Sequence, residues 1–99
     1  MLSIVIPARN ESDNLKDILN YFYNLNLKED FEVLLINDFS EDNTLENAKI
    51  LFQQNKRFKI YDNKKKGLGG AINLGINKSE GDKIAIMMAD LSDDIKDLI

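Results

Sequence analysis

The chain has 99 residues, 43% of them hydrophobic and 30% charged, with one proline and five glycines; that is one domain's worth of sequence, apolar enough for a core and too balanced for a disordered tail. Thirteen Lys plus Arg against seventeen Asp plus Glu leave a net charge of −4, which weighs against a nucleic-acid coat, since such proteins carry a basic face. Cysteine and histidine are both absent, which excludes disulfides, thiolate nucleophiles, zinc–sulfur sites, the Ser-His-Asp triad and imidazole ligands, so any metal must be held by oxygen, as magnesium or manganese are.

The first apolar run, Leu2–Ile6, reads as a strand. Proline then closes it, and Pro7-Ala8-Arg9-Asn10-Glu11 follows as a shaped polar turn. Leu15, Ile18, Leu19 and Phe22 recur at helical spacing, with Ser12 or Asp13 placed to cap the start. The second strand, Phe31–Ile36, runs into Asn37-Asp38-Phe39-Ser40-Glu41-Asp42. An acid at the mouth of a buried strand is placed to accept hydrogen bonds from a ribose or base. Ser40, Asp42 and Asn43 equally suit the cap of the next helix, which carries Leu45, Ala48, Leu51 and Phe52.

The third strand, Phe58–Tyr61, leads into Asp62-Asn63-Lys64-Lys65-Lys66-Gly67-Leu68-Gly69-Gly70. Residues 56–66 hold six basic groups and one acid, a local charge of +5. Lysines followed by glycines at a helix start suit a diphosphate, because bare backbone N–H groups and the helix dipole add to the positive potential; a solvated charge run gives the same letters. Leu68, Ala71, Ile72, Gly75 and Ile76 share one helical face, and Gly75 permits close packing on a sheet. Neither the dinucleotide fingerprint nor the phosphate-loop motif is present, because Ile72 stands where the former needs glycine and Ile76-Asn77 follow Gly75 where the latter needs lysine and a hydroxyl. The fourth strand, Lys83–Met88, precedes Ala89-Asp90-Leu91-Ser92-Asp93-Asp94, where Asp90 with neighbouring oxygens could hold a divalent ion and Ser92 could cap a last helix.

The order β-α-β-α-β-α-β-α predicts a three-layer α/β domain over residues 1–99, with a parallel sheet of about four strands. Ligands of such sheets bind outside the carboxyl ends of the strands. No segment reaches the about 20 apolar residues needed to span a bilayer, and the start lacks a signal-peptide pattern, so the expected location is cytoplasmic.

Taken together, these segments resemble the N-terminal, Rossmann-like half of a glycosyltransferase family 2 domain with the GT-A fold, nearest its dolichyl-phosphate or polyprenyl-phosphate mannosyltransferase branch. Ser3–Glu11 is similar to the opening strand and its Pro-x-x-Asn-Glu turn, and Glu32–Thr44 to the acidic-pair segment. Gly67–Ala71 and Gly81–Ser92 are similar to the third helix and the Asp-Ala-Asp-Leu-Ser element. The resemblance implies that Pro7, Ala8, Arg9 and Glu11 line a nucleoside pocket and that Asp38 bonds the base or ribose. It further implies that Lys64, Lys65, Lys66 and Gly67 lie near the diphosphate, and that Asp90 is the catalytic and metal-binding carboxylate with Ser92 beside it. The implied partners are a GDP- or UDP-sugar, a magnesium or manganese ion, and a lipid-phosphate acceptor at the cytoplasmic membrane face, with no nucleic acid.

Three departures bear on this expectation. Asn37 stands where the family has the first acid of its pair, and Phe39 where glycine is usual. Met88 replaces the first acid of the Asp-x-Asp element, so metal affinity should be weakened. Family catalytic domains are also longer, so the chain is expected to be the donor-binding half and inactive alone; the alternative is a non-catalytic or degenerate nucleotide-binding or interaction fragment. In the family's strand order the fourth strand pairs with the first and leaves an apolar edge, from which dimers are expected.

Overall fold

A computed structural model describes residues 1–53 and 55–98. Strand β1 spans Leu2–Ala8 and is followed by a single 3-10 turn, Ser12–Asn14, and helix α1, Leu15–Asn24. Then come β2 (Phe31–Asn37), α2 (Thr44–Phe52), β3 (Phe58–Asp62), α3 (Leu68–Lys78), β4 (Lys83–Ile86) and the short α4 (Ile95–Leu98). All pairings are parallel, in the order β3-β2-β1-β4.

Period-two alternation explains the unbroken apolar runs, because both faces of the central strands are covered. Leu2, Ile4, Ile6, Phe31, Val33 and Leu35 pack with α1, α2 and Ile95 on one face. Val5, Leu34 and Ile36 pack with Ala71 and Leu74 of α3 on the other. The first two crossovers run one way along the sheet and the third runs back, so a common right hand requires α3 to lie opposite α1 and α2, as it does. A Cβ on Gly75 would collide with the Val5 side chain, so the missing side chain lets α3 lie close on β1. Beneath α1 and α2, Phe52 stacks on Phe58 at 4.5 Å and Phe22 meets Phe58 edge-on at 5.9 Å.

The amino-terminal edge of the sheet is held by a buried polar clasp. Glu32, 3% exposed, accepts from the Ser3 hydroxyl (2.6 Å), the Lys59 ammonium (2.7 Å) and the Glu80 amide (2.7 Å). The Ser3 Oγ in turn accepts from the Gly81 amide at 2.8 Å. Burial pushes the Glu32 carboxyl up, but the three donors outweigh it and hold the group below its ordinary value.

Two strand ends differ from the sequence expectation for one reason. Proline does not end β1, which stays paired with β2 through Ala8↔Asn37. Val5 bonds toward β4, since its carbonyl accepts the Met87 amide at 2.9 Å. By alternation Pro7 also faces β4, where its missing N–H ends that ladder. Strand β4 accordingly stops at Ile86 rather than Met88, and Met88 lies outside it, 41% exposed. The last helix begins three residues beyond the expected Ser92 cap: Asp94 takes that place, its Oδ1 accepting the Lys96 amide at 3.2 Å. At α1 the 3-10 turn intervenes, and neither Ser12 nor Asp13 caps the helix directly.

Candidate functional site

Because every strand is parallel, the polar tips foreseen in the sequence all emerge at the carboxyl edge of one sheet. The direction of connection reverses between β1 and β4, and at such a switch point the two following loops part to leave a crevice. The β1 tip, Pro7 to Glu11, and the segment after β4, Met88 to Ser92, flank this position. Asp38 follows β2 on the other side of β1, and Lys64–Gly67 follow β3 beyond it. Strand spacing puts β2 and β4 about 10 Å apart across β1.

Pro7 and Ala8 are buried at the end of β1, whereas Arg9 is exposed and Glu11 half-buried. Asn10, at φ 55°, turns the chain and latches the β1 tip to the loop after β2. Its side-chain Oδ1 accepts the Glu41 amide at 2.7 Å, and its own amide donates to Ser40 Oγ at 3.0 Å. The Glu11 amide donates to Thr44 Oγ1 at 3.0 Å. Asp42 caps α2 through the Thr44 amide (3.0 Å) and hydroxyl, and these bonds from Thr44 hold its carboxyl below the usual range. The capping role expected of this loop thus falls to Asp42.

Asp38 is 6% exposed, and its Oδ1 accepts both the Gly67 amide (3.0 Å) and the Asn63 Nδ2 (3.0 Å). The acid at the β2 mouth thus holds the start of α3, and the Gly67 N–H is committed to it. Gly67 sits at φ 123°, a conformation a side chain would strain. Asn63, missed in the sequence reading, is the hub of this loop. It is 5% exposed, its Nδ2 also donates to the Lys65 carbonyl, and its amide donates to the Asn37 carbonyl at 2.8 Å. Gly70 lets the loop close on α3, since a Cβ there would lie 2.5 Å from the Lys65 oxygen. Lys64, Lys65 and Lys66 are exposed above this frame, with Lys64 Nζ 3.7 Å from Asp62 Oδ2.

Asp90 stands apart from that cluster. It is exposed, its Oδ1 accepts the Ser92 amide at 3.0 Å, and bonds from Ser92 lower its carboxyl from the ordinary value. Leu91, at φ 59°, shapes this turn, and Tyr21 anchors the segment beyond it, donating to Asp94 Oδ1 at 2.6 Å and accepting the Ile95 amide at 2.8 Å. Among the described residues no three acidic groups gather as a metal cage. One carboxylate with a free oxygen does fit magnesium or manganese when a diphosphate supplies the other ligands, whereas the Met88 thioether is too soft to join it.

Among the described residues no helix is long and apolar enough to cross a membrane. The family model for glycosyl transferase family 2 matches residues 3–98. The chain is 32% identical over 90 residues to the dolichol-phosphate mannosyltransferase of Pyrococcus furiosus, a match covering 91% of this chain and 26% of that protein. It is 32% identical over 97 residues to the undecaprenyl-phosphate 4-deoxy-4-formamido-L-arabinose transferase of Proteus mirabilis, covering 91% and 29%. It superposes on the mannosyltransferase PcManGT from Pyrobaculum calidifontis, solved with GDP-Man and Mn2+, at a TM-score of 0.80 and 19% identity, covering 90% of this chain and 27% of that one. The chain thus spans less than a third of the length of these relatives, and its fold is the Rossmann-like half of a GT-A glycosyltransferase. By the extent of the family match, the chain belongs to glycosyl transferase family 2.

Proposed function

We propose that the chain forms the donor-binding part of a glycosyltransferase that moves a sugar from a nucleotide diphosphate to an acceptor, a polyprenyl or dolichyl phosphate. The observation that supports this reading is that all four strands are parallel, so their polar tips emerge at one edge of the sheet, with a switch point between β1 and β4. Pro7, Ala8, Arg9 and Glu11 line the nucleoside side, with Asp38 at its base. Lys64, Lys65 and Lys66, on the frame set by Gly67, supply positive charge toward the diphosphate. Asp90, with Ser92 fixing its carboxylate, is the metal-binding residue; a bound magnesium or manganese ion would neutralise charge on the departing diphosphate. The names of the Pyrococcus and Proteus relatives support the lipid-phosphate acceptor.

Calorimetric titration with GDP, UDP and their sugars, with and without manganese, tests this reading. Manganese-dependent binding that Asp90→Ala abolishes is expected; no binding of any of them would remove it. Met88 favours a second reading, a nucleotide-binding fragment without transfer activity. Met88→Asp separates the two: a large gain in metal-dependent affinity marks a damaged ion site, and no gain supports the fragment.

A further inference from the structure

Asn37 ends β2 in direct register with Asp62 at the end of β3. Its two amide atoms do opposite jobs. Nδ2 donates to Asp62 Oδ1 at 3.0 Å, and Oδ1 accepts the Ser40 hydroxyl at 2.6 Å. Ser40 Oγ in turn accepts the Asn10 amide at 3.0 Å. Four groups thus form one directed chain, from the backbone of the β1 tip through Ser40 and Asn37 to the carboxylate on β3. The middle position must accept on one side and donate on the other, which the amide of Asn37 does and an ionised carboxylate cannot. Asn37 is 5% exposed, and a carboxylate there would face Asp62 at hydrogen-bond distance with no proton to share, an unfavourable cross-strand like-charge pair.

We infer that Asn37 and Asp62 form a coupled amide–carboxylate pair across β2 and β3, and that Asn37 is the positioning residue that sets the Asn10 turn and hence the nucleoside side of the mouth. The functional half of this inference rests on the nucleotide-binding reading; the coupling itself does not.

The test is a charge-swap cycle in the intact chain: Asn37→Asp, Asp62→Asn and the double variant. Asn37→Asp is expected to lower Tm by at least about 5 °C and to speed hydrogen exchange at the Asn10 amide. The double variant rebuilds the same chain with the carboxylate at 37 accepting from both neighbours, and should recover both. For binding, Asn37→Asp should weaken GDP and UDP at least about tenfold while leaving inorganic pyrophosphate within about twofold, since the diphosphate-facing loop is held separately by Asp38 and Asn63. An Asn37→Asp variant as stable as the parent, or a double variant no better than the single, would overturn the coupling. Pyrophosphate weakening in step with the nucleotides would overturn the positioning role. If the parent chain binds no nucleotide at all, the proposed function falls, and the Tm and exchange arms still decide whether the pair is coupled.

Discussion

Replacing Asp38 with alanine removes the acceptor shared by the Gly67 amide and the Asn63 side chain. A hydrogen bond to a charged acceptor contributes about 1.5–3 kcal/mol. Asn63 keeps the carbonyls of Lys65 and Gly67 as alternatives, whereas among the described residues the Gly67 amide has Asp38 alone as its partner, so the loss should total about 2–4 kcal/mol rather than the full sum. A domain of this size has about 5–15 kcal/mol in all, and the corresponding fall in Tm is about 10–25 °C. Asp38→Asn retains an oxygen acceptor and should lose at most about half as much. Thermal unfolding followed by circular dichroism gives the magnitude, and hydrogen exchange at the Gly67 amide gives the location. A group that served only to touch a ligand would leave the ligand-free chain as stable as before. An Asp38→Ala chain within about 3 °C of the parent, with unchanged exchange at Gly67, would refute the reasoning.

Phe39 holds φ at 54° where a side chain is strained by about 1–2 kcal/mol, so Phe39→Gly should raise Tm by a few degrees, less the greater chain entropy of glycine; a lower Tm would contradict this. Gly75→Ala would press a methyl group into Val5 and should cost about 1–3 kcal/mol, read in a urea melt. The Glu32 carboxyl lies below its ordinary value of 4.5, so its contribution is complete above that pH and is lost as pH falls through the lower folded value; Glu32→Gln should flatten this acid limb of the stability curve. Burial and the bond to Asp94 push the Tyr21 hydroxyl up to about 12, so ultraviolet titration should show one of the three tyrosines ionising late. Stability should fall as pH rises from 10 toward that value, where the unfolded chain has already lost this proton.

Element order was legible in the letters because it follows from local periodicity, whereas the pairing of the fourth strand with the first was expected only from the resemblance to the family. Site tips were legible as far as they follow strand ends: Asp38, Lys64 and Asp90 all emerge at the foreseen edge. The Asn63 hub was not, since an asparagine between acid and lysines carries no periodic signal and acquires its partners only when β2 and β3 pair. Glu32 was hidden likewise, being one charged letter inside an apolar run whose partner Lys59 lies 27 residues away. Pro7 was misread for a physical reason: the missing donor matters on one side of a strand only, and which side faces an edge is decided by the sheet.

The clasp of Ser3, Glu32, Lys59 and Gly81 sits at the end of the sheet remote from the mouth. The sheet is therefore fastened at both ends, by Glu32 at one and by Asp38 at the other. An exposed letter such as Met88, outside both fastenings, can change without loosening the packed sheet and helices.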